Sequence, residues 1–407
     1  MGRPLGVAMV AACPFPANHG TPGSIRELSQ AVAERGHRVH VVTYPMQQAI
    51  PVHGVHIHRV GQFLASRPVT VGPTAYRPLL DLLLVVALVR IIRRERLDVV
   101  HGHNYEGALA GYLAARVTGR PLVYHAISTM IDELPSYGFI RPRTLAVGLA
   151  RVLDAVVPRS ADHVIALSEE LRRFVVARGV PDERVTVVPL GVHVAMFEHG
   201  DGEAVRRRLG LGDAPLVVYT GILDEFQRVD YLVRAMGRVV ATVPRARVLV
   251  AANITRDRDI ERLRQQAQEL GIADRLTVSW PTTLEELPDI LAAADVAVCP
   301  RPDTPGFPVK LLNYMAAGKA IVTFRGSSKG LEHMTEAFVA ADHDWTQLGE
   351  GIGRLLTDRA LAARLGAGAR AAVVSRFDWS SLARTIEGVY CRVLGIPAPS
   401  LQPSASP

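Results

Sequence analysis

The chain lacks the features that mark several large classes of protein. Only three of its 407 residues are cysteine, at positions 13, 299 and 391, and no CxxC pair occurs. The sequence therefore indicates neither a disulfide framework nor a zinc site. Basic residues are not interleaved with aromatic ones, which argues against a nucleic-acid partner. The most apolar stretch, residues 78–96, is too short and too interrupted to cross a bilayer, which needs about 20 apolar residues.

The overall composition is that of a soluble globular protein with a net positive charge. Hydrophobic residues make up 48% and charged residues 21%, and the length fits roughly two domains of about 200 residues. The net charge of +7 comes mostly from arginine, clustered at residues 90–96, 141–143, 172–173 and 206–208. Solvated helix faces explain such clusters most simply. The alternative is an anionic partner, with membrane lipid or a phosphorylated substrate ahead of nucleic acid.

Apolar strands and amphipathic helices alternate along the chain, which predicts parallel sheets covered on both faces. A strand at residues 7–11 leads through a loop at 14–23 to a helix at 24–35. Ser24 would cap that helix, with Glu27 completing a capping box. Because ligands bind beyond the carboxyl ends of such strands, we expect chemistry at four places. These are residues 14–23, 101–106, 125–133 and Ser168.

The alternation restarts once, which predicts two domains. A strand and glycine turn at residues 185–197 close the first series, and a new strand begins at residue 216. We expect a first domain at 1–198 and a second at 199–378. A C-terminal helix at 379–396 and a disordered tail at 397–407 complete the predicted organisation.

The stretch at residues 295–324 is the most informative part of the second domain. A short apolar strand at 296–299 runs into a Pro/Gly/Asp loop, and a helix follows at 308–317. Pro308 suits the first turn, and Gly318 suits the helix end. Lys310 and Asn313 share one face of this helix. Unpaired N–H groups and the positive end of the helix dipole favour a phosphate at its amino end.

Five phrases spread over nearly the whole chain together identify a family. They are GTPG with the following REL (20–28), DVVHGH (98–103), VVPLGV (187–192), GILDEFQRVDYL (221–232) and KLLNYMAAG (310–318). In this order and at these spacings they resemble the bacterial family-4 glycosyltransferases. The resemblance implies the α/β GT-B architecture, two Rossmann-like open parallel-sheet domains facing a central cleft. The first would be the acceptor side, the second would bind the donor, and the helix at 379–396 would cross back to the first. It also implies transfer of a sugar from a nucleoside-diphosphate sugar to a hydroxyl acceptor, a glycan or a lipid-linked group, with retention and without a cofactor or metal.

The resemblance also assigns site residues. The expected catalytic residues are His125 and Glu133. The expected donor-binding residues are Gly20, Gly23, Gly221, Gln227, Arg228, Gly306, Phe307, Pro308, Val309, Lys310 and Asn313. A metal held by His101 and His103 is the less favoured alternative to a polar role in the acceptor pocket.

Several positions depart from the usual family pattern. Ile222 and Gln227 replace an arginine and a lysine that bind the diphosphate, Pro305 and Asn313 replace two glutamates, and Ile127 replaces a histidine. His125, two residues earlier, is the candidate to take over from that histidine. A related branch with Tyr-Gln-Gly, Pro-x-Lys-Leu-Leu-Asn-Tyr and Asp/Glu-Glu-Leu-Pro segments matches better, at residues 132–135 and 226–228.

These departures leave two other functions open. One is a non-catalytic GT-B subunit that binds a nucleotide or a partner, and the other is a sugar-nucleotide epimerase on the same fold.

The sequence also predicts where the protein is located. The N-terminus is interpreted as a buried strand and not as a signal peptide, so we expect a cytoplasmic protein. The helix at 78–96 is predicted to be mainly buried. Its alternative role is attachment to anionic lipid at the inner face of the membrane.

Overall fold

The chain divides into two compact units. A computed structural model describes residues 3–16, 20–46, 52–65, 76–136, 140–302 and 308–398. The units are Met1–Gly191 together with Trp379–Pro407, and Val192–Asp378. The first stretch thus ends at Gly191 and not at the expected residue 198, because the turn Val194–Phe197 packs on helices of the second unit. Most of the tail expected at 397–407 lies outside the described residues.

The first unit is built on a seven-stranded sheet. Its strands are β1 (Gly6–Ala11), β2 (Arg38–Thr43), β3 (Val55–Arg59), β4 (Val99–His103), β5 (Leu122–Ala126), β6 (His163–Ala166) and β7 (Val185–Val187). Its helices are α1 (Gly20–Glu34), α2 (Arg77–Glu95), α3 (Asn104–Thr118), α4 (Met130–Glu133), α5 (Arg143–Ser160) and α6 (Glu169–Val176). The strand order is β3-β2-β1-β4-β5-β6-β7, and all pairs are parallel.

The second unit repeats this plan on a six-stranded sheet. Its strands are β8 (Leu216–Gly221), β9 (Arg247–Ala252), β10 (Leu276–Ser279), β11 (Val296–Cys299), β12 (Ala320–Phe324) and β13 (Phe338–Ala340), in the parallel order β10-β9-β8-β11-β12-β13. Its helices are α7 (Gly202–Arg208), α8 (Val229–Thr242), α9 (Asp257–Glu269), α10 (Leu287–Ala293), α11 (Val309–Ala316), α12 (Arg325–Ser328), α13 (Trp345–Thr357) and α14 (Arg359–Arg376). These two parallel α/β sheets confirm the predicted fold class.

Burial on both faces explains why the strands read as continuous apolar runs. One face of the first sheet packs on α2, α3 and α5, and the other on α1. The sequence of α2 determines which side of the helix packs on the sheet. Its buried stripe repeats every four residues, at Leu80, Leu84, Leu88 and Ile92, so one side faces the core as expected for an amphipathic helix.

Each sheet reverses its direction of strand addition beside its first strand. In the first unit the chain builds outward from β1 to β3 and then returns to place β4 on the other side of β1. In the second unit β8 lies between β9 and β11 in the same way. The carboxyl edge at such a switch point is where open α/β sheets bind ligands. The fold therefore predicts ligand sites at the carboxyl ends of β1 and β4 and of β8 and β11.

The predicted start of α1 is wrong. The helix begins at Gly20, so Ser24 lies a turn inside it and does not cap it. Pro22 is compatible with this earlier start because the first four N–H groups of a helix have no intrahelical partner. Glu27 does not form the capping box either; its Oε2 accepts a hydrogen bond from Nε1 of Trp379 at 2.8 Å.

The last helix, α15 (Trp379–Leu394), belongs to the first unit. It packs against α1, where Arg35 donates to the buried carboxylate of Glu387. Near its end, the hydroxyl of Tyr390 lies 2.7 Å from Nδ1 of His101 on β4. This long-range contact ties the carboxyl half of α15 to the sheet.

Candidate active site

The amino group of Lys310 lies at the switch point of the second unit. Lys310 is in the first turn of α11, and its Nζ donates to the hydroxyl of Tyr219 on β8 at 2.7 Å and to Oε1 of Gln227 at 2.8 Å. Helix α11 is held against β8 by the hydroxyl of Tyr314, which accepts from the N–H of Thr220 at 2.9 Å. The fold therefore brings predicted residues Gln227 and Lys310 into direct contact.

Gly221 makes room for this arrangement at the end of β8. Its φ of +123° is one that side chains rarely adopt, and a Cβ there would lie 3.3 Å from Cε and Nζ of Lys310. The following turn is stabilised by Asp224, whose side chain accepts from the N–H of Gln227 at 3.0 Å. Strand end, turn and helix α11 thus converge on one lysine.

The ammonium group of Lys310 is half-buried among neutral hydrogen-bond partners. Burial lowers the pKa of Lys310 to about 8, the cost of desolvating an ammonium group. Its hydrogen-bond partners Tyr219 and Gln227, a phenol and an amide, are both uncharged. A cation held by neutral acceptors at the amino end of a helix is well suited to an incoming phosphate.

The other predicted donor residues differ in what the structure shows. Arg228 is the N-cap of α8 and has a left-handed backbone (φ 53°); its guanidinium is 3.0 Å from Asp230 and lies over the ring of Tyr231. Pro308 is the N-cap of α11, the exposed Val309 follows it, and Asn313 is half-buried one turn after Lys310. Pro305, Gly306 and Phe307 lie outside the described residues.

A groove adjoins the same edge of the second sheet. It has a volume of about 710 Å³, and its walls come from the turn after β8 and from the segment after β9. Phe226 and Ile254 supply apolar surface, while Arg256, Arg258 and Arg262 supply positive charge. Such a size is typical of small-molecule sites.

At the carboxyl ends of β4 and β5 in the first unit, three histidines form a buried cluster. The rings of His101 and His125 stack with centroids 5.4 Å apart, and His103 lies 4.4 Å from His101. Burial lowers the pKa of His125 to about 4, and those of His101 and His103 well below the usual value, so all three are neutral near pH 7. A cavity of about 10 Å³ beside His103 and His125, large enough for about one water molecule, is also lined by Ser24, Ile127 and Trp379.

This cluster is the candidate metal site among the described residues. One ring nitrogen from each histidine lies within 4.8 Å of the others. Zinc–nitrogen bonds of about 2.0–2.1 Å would bring tetrahedral ligand atoms to roughly 3.3 Å apart. The nearly parallel stack of His101 on His125, with 6° between the rings, does not aim the nitrogens at one point. The arrangement is better suited to neutral hydrogen bonding than to a metal.

Glu133 is positioned by a buried aspartate that the sequence did not single out. Asp154 on α5 accepts hydrogen bonds from the N–H groups of Met130 at 2.8 Å and Ile131 at 3.1 Å, and from the hydroxyl of Tyr105. These bonds fix the first turn of α4, at whose end Glu133 accepts from the hydroxyl of Ser128. His125 lies at the carboxyl end of β5, and Glu133 lies in the short helix that follows this strand. Gly20 and Gly23 lie in the first turn of α1.

Three functional positions were missed because no motif marks them. Tyr219 sits inside an apolar strand, and only its contact with Lys310 reveals a role. Asp154 lies inside a helix, where its apolar neighbours were the only available signal of burial. Tyr390 is far from His101 in sequence, so their contact follows only from the return of α15 to the first unit.

Comparison with known proteins agrees with this geometry. Residues 9–191 match the family described as glycosyl transferase 4-like domain, and residues 214–358 match glycosyl transferases group 1. A D-inositol 3-phosphate glycosyltransferase of Thermobispora bispora is 30% identical over 395 residues, 91% of this chain and 89% of that protein. The chain belongs to the family-4 glycosyltransferases. It is therefore a glycosyltransferase with the GT-B fold, as the sequence motifs predicted.

Solved structures share this fold at low sequence identity. Sucrose-phosphate synthase from Thermosynechococcus elongatus superposes with a TM-score of 0.75 and 20% identity, covering 96% of this chain and 99% of that one. HepE of Anabaena, solved in complex with UDP and glucose, gives a TM-score of 0.70 and 18% identity, with 95% and 100% coverage. At this identity the likeness bears on the fold.

Proposed function

We propose that this glycosyltransferase takes its sugar from a nucleoside-diphosphate sugar and transfers it to a hydroxyl acceptor with retention of anomeric configuration. The observation that carries the proposal is the half-buried ammonium of Lys310, held by Tyr219 and Gln227 at the amino end of α11. A diphosphate is the part of such a donor that needs this charge. HepE, with the same fold, was solved with UDP and glucose, which supports a nucleotide-sugar donor here.

The diphosphate would replace neutral contacts around Lys310 with charged ones. Phosphate oxygens at the end of β8 would accept from Lys310 and from unpaired N–H groups of α11. Gln227, standing where the usual family pattern has a lysine, would hold Lys310 in place and donate its amide N–H to the phosphates. The ribose would lie toward Asn313, and the nucleobase in the groove beside Phe226.

The transfer step would depend on positioning and on charge stabilisation. The bond from the anomeric carbon to the diphosphate oxygen breaks as the acceptor oxygen bonds to the same face of that carbon. The acceptor's proton passes to the departing phosphate oxygen, so no external reactant is needed. Lys310 and the dipole of α11 stabilise the charge that develops on the diphosphate. No metal ion is part of this proposal.

The first unit would supply the acceptor side. His125 is neutral above about pH 4, so its imidazole would act as a hydrogen-bonding group toward the transferred sugar or acceptor and not as a charged acid. Glu133, fixed through α4 by Asp154, would accept from an acceptor hydroxyl. Since relatives are named D-inositol 3-phosphate glycosyltransferases, phosphorylated cyclitols belong among the candidate acceptors beside glycans and lipid-linked groups. A cytoplasmic location, peripheral to the membrane, is part of the proposal.

The test is a transfer assay with radiolabelled sugar donors. The purified chain is incubated with UDP-, GDP- and ADP-sugars, each with inositol 3-phosphate, simple glycans or lipid-linked acceptors, and products are separated by chromatography. Label moving from nucleotide to acceptor with an unchanged anomeric configuration supports the proposal. Inversion would overturn retention. Label that stays on the nucleotide as a different sugar would indicate an epimerase, and binding without release a non-catalytic subunit.

A further inference from the structure

One face of the first unit exposes large apolar side chains on three neighbouring helices. Among the described residues nineteen large apolar side chains are exposed, and ten of them lie on α2, α3 and α5, with 38% to 61% of their surface accessible. They are Leu79, Leu82 and Val86 on α2, Leu109, Leu113 and Val117 on α3, and Leu145, Leu149, Val152 and Val156 on α5. We call these ten side chains, with the exposed arginines of the same helices, the apolar–arginine face.

The helices form a continuous layer. Helix α2 contacts α3, and α3 contacts α5, while their opposite sides are buried together on one face of the first sheet. The exposed residues recur at helical spacing on the outer side; on α3 they are Leu109, Leu113 and Val117. Contiguous apolar surface of this kind marks a protein–protein or membrane interaction site.

The charge on this face has one sign. Every exposed charged residue of α2, α3 and α5 is an arginine. These seven arginines are Arg90, Arg93, Arg94, Arg116, Arg143, Arg151 and Arg159. The acidic residues of the three helices are all at least half-buried. Asp154 is fully buried, and Asp81 accepts a hydrogen bond from the hydroxyl of Tyr44. Glu95 and Glu106 form ion pairs with Arg94 at 3.2 Å and with Arg77 at 3.6 Å, respectively.

The basic cluster of the second unit has a different environment. Arg206, Arg207 and Arg208 each lie within 3.4 Å of a carboxylate, of Asp295, Glu203 and Glu286, respectively. That cluster is a solvated face of ion pairs, as the sequence suggested. On the apolar–arginine face Arg94 also lies near a carboxylate, 3.2 Å from that of Glu95, but the arginines of this face are interspersed with leucine and valine, the composition of helices that lie in a membrane interface.

We propose that the apolar–arginine face docks on a membrane that contains anionic lipid. Leucine and valine would enter the headgroup–acyl boundary while the arginines contact lipid phosphates. A second copy of the chain fits this face less well, because two such faces would bring like-charged arginine sets together. Peripheral docking also agrees with the lengths of the helices, since none of those described is long and apolar enough to cross a bilayer.

The polarity of the helices relates this face to the candidate site. Helices α2 and α3 run antiparallel to the strands, so they begin at the carboxyl edge of the sheet. On α2 the exposed apolar residues precede Arg90, and on α3 Leu109 and Leu113 precede Arg116, which Val117 follows. Most of the exposed apolar surface of these two helices therefore lies toward the edge where the acceptor is expected. The docking itself does not depend on the proposed transfer reaction.

The experiment is co-sedimentation of the full chain with vesicles of phosphatidylcholine alone or with 30% phosphatidylglycerol (about one lipid in three, to give a strongly negative surface). The wild type should sediment with anionic vesicles at low salt, much less with neutral ones, and less at high salt. Arg90→Glu/Arg151→Glu should weaken partitioning at least tenfold, since each exposed arginine contributes about fivefold. Leu145→Ser/Val152→Ser should also weaken it, and this loss should persist at high salt.

Matched controls come from exposed residues of α13 and α14 in the second unit. Arg354→Glu/Arg364→Glu changes charge by the same amount, and Val374→Ser removes an exposed valine. Both should sediment like wild type. The proposal is overturned if wild type does not sediment with anionic vesicles at low salt. It is also overturned if Arg354→Glu/Arg364→Glu weakens binding as much as Arg90→Glu/Arg151→Glu. It is also overturned if ultracentrifugation shows a dimer that Leu145→Ser/Val152→Ser converts to monomer, because the face would then bind a second copy.

Discussion

The amino group of Lys310 donates a hydrogen bond to the hydroxyl of Tyr219 at 2.7 Å, joining the first turn of α11 to β8. Tyr219 in turn donates to the carbonyl of Ile222 at 2.5 Å, so the turn after β8 is part of the same network. A nucleotide that binds Lys310 would therefore contact a hydrogen-bond network that joins β8, the turn after it and α11.

Removing the Lys310 ammonium should weaken nucleotide binding. Lys310→Met keeps an unbranched side chain and should raise the Kd of a nucleoside diphosphate roughly ten- to hundredfold, the loss of a charged hydrogen bond worth about 1.5–3 kcal/mol. Isothermal titration calorimetry measures this directly. Lys329→Asn is the control, because it removes an exposed lysine where asparagine tolerates the left-handed backbone. Equal affinities for wild type and Lys310→Met would remove Lys310 from the site.

Nucleotide affinity should fall at alkaline pH. The pKa of Lys310 is about 8, lowered by burial, so the free protein loses this charge as pH rises through 8. Below pH 8 the diphosphate binds a charged Lys310. Above pH 8 Lys310 must take up a proton when the diphosphate binds, so Kd should rise about tenfold per pH unit. Lys310→Arg should flatten this profile, since arginine stays charged. A wild-type Kd that is constant from pH 7 to 9.5 would contradict this assignment.

His125 should affect turnover more than donor binding. His125→Gln should lower kcat at least tenfold while the Kd of the nucleoside diphosphate stays within about twofold, because the residue lies in the other unit, beside the expected acceptor. His163→Gln is a matched control, a buried histidine on β6 whose pKa is likewise lowered to about 4. The control should keep kcat after correction for folded fraction. If both variants lose kcat equally, His125 has a packing role.

Asp154 should stabilise the segment that carries Glu133. Asp154→Ala leaves the N–H groups of Met130 and Ile131 without their acceptor and should lower the free energy of unfolding by about 3 kcal/mol. Asp132→Asn, an exposed change on the same turn, should cost less than about 1 kcal/mol. Urea unfolding measures both. A small effect at Asp154 would mean that α4 is fixed by other contacts.

Asn313 should contact the donor, if the helix face shared with Lys310 is the binding face. Asn313→Leu should raise the donor KM severalfold with the melting temperature unchanged, since it would lose a neutral hydrogen bond of about 1 kcal/mol. A lowered melting temperature with normal kinetics would show instead that Asn313 is a structural side chain.

The sequence predicted the parts of this protein that depend on local pattern. Strands at residues 163–166 and 296–299 were predicted with their observed limits, because short apolar runs between turn residues leave few alternatives. The start of α1 was misplaced because a serine followed by a glutamate mimics a cap, whereas Glu27 is used by Trp379 of α15. Long-range contacts of this kind leave no local trace. The same is true of Tyr219 beside Lys310, of Asp154 beneath α4 and of the exposed stripes of α3 and α5.

The most direct test of the central claim follows a nucleoside-diphosphate sugar by ³¹P NMR in the presence of acceptor. Donors that the wild type binds are supplied in excess to wild type and to Lys310→Met at equal concentrations, and the phosphorus signals are recorded over time. Wild type should convert the donor signals to those of free nucleoside diphosphate, and Lys310→Met should do so much more slowly. Donor that stays intact with wild type, or equal conversion by the two proteins, would contradict the central claim.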